Sequence, residues 1–291
     1  MPFQLLINAF SLGSYYALLA LGFSLIFGVT RAFNLAHGEM ILLSGYLAFV
    51  LERYLHFPFI ATIPLCMASS IVLALALYQL LRLVGEPVEL NTLVVTFGLA
   101  LVLENAMLFV FSANYRSLEL TNRTFEIRAL HLLVTPTQIM IIVFSLAATT
   151  ILYVLLRVTF IGKALRATIQ NSEAARLAGI PVQRMGLIAF GIGGAFIGLT
   201  GPLYARMTYL HPFGGIDATL TAIIVTIFAG IGRIRPVLLG GWVLGLVESA
   251  TVTFFGTNWR EPVIALLLIT LLLTKPQGLF IGQIKTLSWR R

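Results

Sequence analysis

Apolar residues run along this chain in long blocks, and the polar stretches between them are few and mostly short. A helix needs about 20 apolar residues to cross the hydrocarbon core of a bilayer, and somewhat shorter ones occur. By that measure the pattern predicts nine membrane segments. Five come first: Leu5–Gly28, Gly38–Leu51, Phe59–Leu81, Thr92–Phe111 and Thr137–Leu156. Four follow: Gly186–Met207, Ala218–Ile231, Val237–Phe255 and Pro262–Thr274. The second, seventh and ninth are short, so the count ranges over about 8–10, a short segment being re-entrant where it does not span. The expected fold is therefore all-α, a polytopic transmembrane bundle forming a single domain over residues 1–291.

One interruption stands apart. Between Thr159 and Val182 the chain turns polar, and the segment has a shape of its own. Gly162 to Ile169 reads as a short helix with Leu165 and Ile169 on one side and Lys163 and Arg166 toward another. Asn171 or Ser172 then offers an N-cap, and Glu173 sits in the first turn where its charge complements the helix dipole. The second helix stops at Gly179, with Pro181 just beyond. Ala174, Leu177 and Ala178 share one face of it, a small apolar ridge. Two short helices at an angle make a knuckle outside the bilayer. By pattern alone it is either an amphipathic loop lying on anionic lipid or a protrusion that docks on a protein.

Composition narrows the class. Of the 291 residues, 59% are hydrophobic and 10% charged, with a mean hydropathy of +0.97. A soluble domain carries roughly a quarter charged residues, so this is an integral membrane protein. The net charge of +8 fits Lys and Arg anchoring cytoplasmic loops better than nucleic-acid binding. With nine spans and the knuckle inside, thirteen Lys and Arg face the cytoplasm and six face out. The N-terminus is then outside and the C-terminus inside. The single Cys66 rules out a disulfide framework. Met-Pro-Phe-Gln at the start has no basic n-region, and the apolar run continues past signal-peptide length, so it reads as an uncleaved first span. Small residues recur on helix faces: Gly191, Gly194, Gly198 and Gly201; Gly13, Ala17, Ala20 and Ser24; Gly241 and Gly245. They permit close backbone approach within the subunit, or at an interface. No repeat of 20–50 residues is visible.

Polar groups inside apolar spans are costly and draw attention to function. Asn34, His37 and Glu39 cluster where the first span gives way to the second. The spacing of His37 and Glu39 and the lack of nearby His or Cys argue against a metal. They either satisfy backbone groups freed in a broken segment or belong to a gate. Glu104 and Asn105 lie mid-way along the fourth span and Glu248 along the eighth, each read as pathway lining or as a structural hydrogen bond. Asp217 is expected to cap the span that follows it, and His56 and His131 to sit in loops facing solvent. No GxxxxGK[ST] is present, so a nucleotide, if used, is hydrolysed on another chain. No nucleophile, base and acid come together as a catalytic set.

At this point the sequence resembles a known family. The knuckle, Gly-Lys-Ala-Leu-Arg-Ala at 162–167 and Glu-Ala-Ala-Arg-Leu-Ala-Gly-Ile at 173–180, is similar to the coupling loop of ABC importer permeases of the branched-chain amino-acid type. Co-linear matches stand at 12–22, at Asn34-Leu-Ala-His-Gly-Glu-Met40, at 230–235, at 240–250 and at Lys275-Pro-Gln-Gly-Leu279. Two departures are an Arg233/Arg235 pair where the family has Ser and Pro, and acid in place of base at Val84–Glu89. The resemblance implies a non-enzymatic transport subunit with a coupling loop at about 158–185. Gly162, Ala164, Arg166, Glu173, Ala174, Ala175, Leu177, Ala178 and Gly179 would form the contact with the ATPase. It implies a second related permease, two cytoplasmic ATPase subunits and an extracytoplasmic binding protein, in a bacterial inner membrane. No cofactor would be bound by this chain, ATP being used by its partners. Relatives carry branched-chain or other neutral amino acids, and also urea and short amides. The contrasting reading is a self-powered secondary transporter or channel, for which Glu104 and Glu248 are the only coupling candidates.

Overall fold

The structure is a computed structural model, and it describes residues 2–85, 88–118, 125–127, 132–230 and 235–274. Helices α1 (Pro2–Thr30), α2 (His37–Arg53), α3 (Phe59–Leu81) and α4 (Val88–Phe111) come first. A two-stranded hairpin follows, β1 (Phe125–Ile127) antiparallel to β2 (Leu132–Val134), then α5 (Pro136–Val158). The knuckle is α6 (Phe160–Gln170) and α7 (Ser172–Leu177). The chain ends with α8 (Val182–Met207), α9 (Gly215–Ala229), α10 (Arg235–Phe255) and α11 (Arg260–Thr274). Each of the nine apolar segments coincides with a helix. Eight helices among the described residues are long and apolar enough to cross a membrane, α9 and α11 each counted with the short 3-10 turn before it. The exception is α2, with 17 residues.

Both ends of the bundle are identifiable from contacts. At the knuckle end, Val29–Ala32, Leu81 and Arg82 face Thr168–Ser172 and Val182 around one cavity. At the far end Gln4 bonds the backbone of Leu133, Leu118 N–H reaches Ala205 O, and Arg116 pairs with Leu210. Glu52 forms an ion pair there with Arg206, whose guanidinium lies 4.1 Å from the Phe59 ring centroid. Neither α2 nor α9 starts at an end. After α1 the chain turns at Arg31 (φ 57°) and runs back into the bundle, where α2 begins beside the middle of α1. After α8 it re-enters from the far end, and α9 begins against the start of α2.

An inverted repeat follows from this arrangement. The unit α1–α2–α3 recurs as α8–α9–α10 running the opposite way. The packing is reciprocal: α1 lies along α10 as α8 lies along α3, and α9 crosses α1 as α2 crosses α8. Repeats of this kind place broken helices at mid-depth. The unit is far longer than the 20–50 residues of a solenoid repeat, so it does not show in the sequence as such a period.

The small-residue stripes fall inside the subunit. A Cβ at Gly198 would land on the backbone of Cys66 and Met67, and one at Gly194 on Ser70 and Ala74. Gly241 and Gly245 meet Gly13, Ala9 and Ala17 in the same manner. With no hydrophobic drive between helices in lipid, such backbone contact is what holds them. Gly98 on α4 is different, since a side chain there meets nothing within 4 Å. Replacing Gly198 by Leu should destabilise the detergent-solubilised chain by about 1–3 kcal/mol, whereas Gly98→Leu should stay within about 0.5 kcal/mol. Thermal unfolding of the two variants in parallel checks the contrast.

Candidate functional site

Broken helices leave backbone groups without partners, which hydrocarbon does not forgive. The break before α2 is closed by side chains from several elements. Asn34 Oδ1 accepts from Ala36 N–H at 3.1 Å, and Nδ2 points at the Met40 sulfur. His37 Nε2 donates to Leu19 O at 3.0 Å and packs edge-on against Phe23. Thr96 of α4 accepts from Leu35 N–H at 3.2 Å and lies 3.2 Å from Phe33 O. Thr219 of α9 accepts from Gly38 N–H at 2.8 Å and lies 3.3 Å from Leu35 O. Gly38 and Gly215 cross so closely that either would collide with the other's backbone or neighbour if it carried a Cβ. At Gly215 the obstacle is the Glu39 carboxylate. Glu39 is 2% exposed, and its Oε2 has no partner among the described residues. Glu104 is half-buried and within electrostatic range of Glu39, while Asn105 is exposed and donates to Leu101 O of its own helix at 2.8 Å. The structure therefore brings Asn34, His37, Glu39 and Glu104 to one region, and leaves Asn105 on the outer face of α4.

Asp217 is not the cap of α9. The cap position is Gly214, no side chain caps it, and Asp217 lies exposed in the first turn. The re-entrant turn Pro212–Gly214 extends the helical geometry upstream, so the chain is already turning three residues before the aspartate. His56 is exposed as expected, with φ 55°. His131, Arg233, Glu86 and Lys275–Leu279 lie outside the described residues.

The knuckle is built on local signals. Thr159 caps α6 through Gly162 N–H at 2.9 Å. Asn171 caps α7, accepting from Glu173 and Ala174 N–H at 3.0 Å each. Gly179 takes φ +82°, and Ile180 N–H closes back on Ala175 O at 2.9 Å, the Schellman-like ending that a glycine permits. Leu165 is fully buried, Ala164 and Ala175 are buried, and a Cβ at Gly162 would strike the backbone of Leu155 and Leu156. Gly162, Ala164 and Ala175 thus seat the knuckle on the bundle and do not face outward. The outward surface is Arg166, Glu173, Ala174, Leu177 and Ala178, with Leu177 91% exposed.

Glu248 stands elsewhere, toward the far end. Tyr16 donates to its Oε2 at 2.5 Å, Arg260 pairs with its Oε1, and Arg260 Nη2 also donates to Tyr16 Oη at 3.0 Å. Among the described residues no group of three or more His, Cys, Asp or Glu is arranged to hold a metal ion.

Comparison with known proteins bears on this architecture. The family model described as "Branched-chain amino acid transport system / permease component" matches residues 5–273. The permease protein LivH of the high-affinity branched-chain amino acid transport system of Escherichia coli K12 is 27% identical over 290 residues, covering 95% of this chain and 94% of that one. BraD of Pseudomonas aeruginosa, from a system of the same description, is 28% identical over 291 residues with the same coverage of 95% and 94%. The L-arabinose permease AraH of Escherichia coli is 37% identical over 113 residues, 36% of this chain and 34% of that one. No solved structure matches. The chain belongs to the branched-chain amino acid transport permease family. It is a permease subunit of an ABC importer, an integral membrane protein that works with other subunits.

In this permease, sequence reasoning missed Thr96, Thr219, Tyr16 and Arg260. A Thr inside an apolar helix usually bonds its own i−4 carbonyl, as Thr219 also does at 3.1 Å, so its second role is invisible without the fold. Arg260 falls at a helix start, where a cation is ordinarily a solvated flank. Losing the Thr219 hydroxyl strands Gly38 N–H in the interior, so Thr219→Val should cost about 1–3 kcal/mol. Thr221→Val removes only an exposed bond to Asp217 O and should cost less than about 0.5 kcal/mol. Hydrogen exchange at Leu35–Gly38 together with thermal unfolding distinguishes them.

Proposed function

We propose that this permease carries branched-chain or other neutral amino acids inward across a bacterial cytoplasmic (inner) membrane, driven by ATP hydrolysed on separate subunits. The observation that carries the reading is the knuckle: a rigidly seated pair of short helices at one end of the bundle, with Leu177 fully presented between Ala174 and Ala178. A solvent-exposed leucine flanked by alanines on a capped helix is suited to fill a socket on a cytoplasmic ATPase. Two such ATPases, a second related permease and an extracytoplasmic binding protein complete the assembly. The knuckle end is then cytoplasmic, with the N-terminus outside and the C-terminus inside. Coupling is mechanical in this scheme, the chain contributing contact and no catalytic group or cofactor of its own.

The amino-acid substrate class is supported by LivH and BraD, permeases of high-affinity branched-chain amino acid transport systems that match along nearly the whole chain. Asn34, His37, Glu39, Glu104, Asn105 and Glu248 are the pathway and gate candidates. The first four surround the crossing of two half-helices, a place where alternating packing can open or close a route.

Leu177→Glu should lower uptake of labelled L-leucine by the assembled transporter at least tenfold, and the ATPase subunits should no longer co-purify. Gly179→Pro should do the same, because proline fixes φ near −65° where this position needs +82°. Ala175→Arg should unseat the knuckle from beneath. All three should insert in the membrane normally. Transport surviving these changes, proton-driven uptake by this chain alone, or uptake of urea in place of leucine would each overturn the corresponding part of the proposal.

A further inference from the structure

Toward the far end of the bundle, α1, α9, α10 and α11 line an open-sided cavity of about 390 Å³, within the roughly 300–1,000 Å³ of small-molecule sites. Its two ends differ in kind. Asp217 of α9 and Arg260 and Glu261 of α11 stand with Tyr16 and Glu248 at one end, and one to two turns further along the same two helices the lining is aliphatic, with Leu220, Ile224, Ile264 and Leu268. We infer that this cavity is a binding site for a zwitterionic amino acid with an aliphatic side chain, on the route from the far end into the permease.

The polar end is preassembled. Side chains on a helix lean toward its own N-terminus, and α1 and α10 run antiparallel, so Tyr16 and Glu248 lean toward each other. They meet at 2.5 Å with 2% and 3% exposure. Together they hold the Arg260 guanidinium by Nε and Nη2. Five N–H donors are available on a guanidinium, and Nη1 makes no hydrogen bond among the described residues. The Arg260 side chain is half exposed, which leaves that edge for a solute carboxylate in charge-assisted bonds. Opposite charges for an ammonium group are at hand in Asp217 and Glu261, neither of which has an ion-pair partner among the described residues. The aliphatic end receives the side chain. Glu248 and Tyr16 are positioning residues here, and Arg260 and Asp217 are the contacts. The glycines that bring α1 onto α10 also set this geometry, since Gly241 and Gly245 lie just upstream of Glu248.

The inference rests on the amino-acid reading above and names a site for it. Two measurements separate their failures. In the assembled transporter, Asp217→Asn and Arg260→Gln should each lower L-leucine uptake at least tenfold. In the assembly without binding protein, an otherwise native Ile264→Cys should be labelled by N-ethylmaleimide several-fold more slowly in millimolar L-leucine. L-Leucinamide, which lacks the carboxylate, should give no such protection, and adding Asp217→Asn should abolish it. Normal leucine uptake with no protection and no effect of either variant overturns the site while leaving the transport reading intact. A wild-type assembly that takes up no neutral amino acid brings down both.

Discussion

Backbone contact between helices is the constraint from which the rest of this structure follows. In lipid, apolar side chains gain nothing by meeting each other that they do not already have from acyl chains. Close approach at glycine supplies dispersion contact and fixes register instead. Gly13 with Gly241 and Gly245 locks α1 to α10, and Gly194 with Gly198 locks α8 to α3. Gly38 with Gly215 brings the two half-helices together. Each polar feature sits where one of these crossings puts it. Glu39 lies on the Gly215 backbone, and Tyr16 faces Glu248 because α1 and α10 are in register.

The cost of a broken helix explains why the interior is not uniformly apolar. The segment from Arg31 to Ala36 enters the bundle with backbone groups that no helix satisfies. Asn34, Thr96 and Thr219 take them up, so polar side chains at mid-depth repair the main chain as well as line a route. Glu39 is the residue this repair does not account for. Its carboxylate is buried with an oxygen unpartnered, which is an expense a stable fold has no need of and a moving one can use.

The two ends of the molecule are built by different physics. The knuckle relies on short-range rules: caps at Thr159 and Asn171, a positive φ at Gly179, and an apolar seat under Leu165. The Asn171 cap and the Gly179 stop were legible in the sequence because each depends on residues within one turn, whereas the Thr159 cap and the seat on α5 came from the structure. The far end relies on pairing beyond one helix, Glu52 with Arg206 and Glu248 with Arg260, whose partners are separated by 154 residues or by an element boundary. Asp217 shows the limit of local reading. An aspartate before an apolar run looks like a cap, yet the preceding turn starts the helix earlier.

By itself the sequence determined the class, the nine helical segments, the knuckle and the family. Hydropathy, capping chemistry and composition act over distances shorter than a helix, so they survive being read in one dimension. Only the tertiary structure decided that α2 and α9 start inside the bundle and that the two halves are inverted copies. It alone joined Tyr16, Glu248, Arg260 and Asp217 around one cavity. Those outcomes depend on which helix faces touch, and in a membrane that is settled by the fit of small residues across helices far apart in the chain, where hydrophobicity is the same on every side.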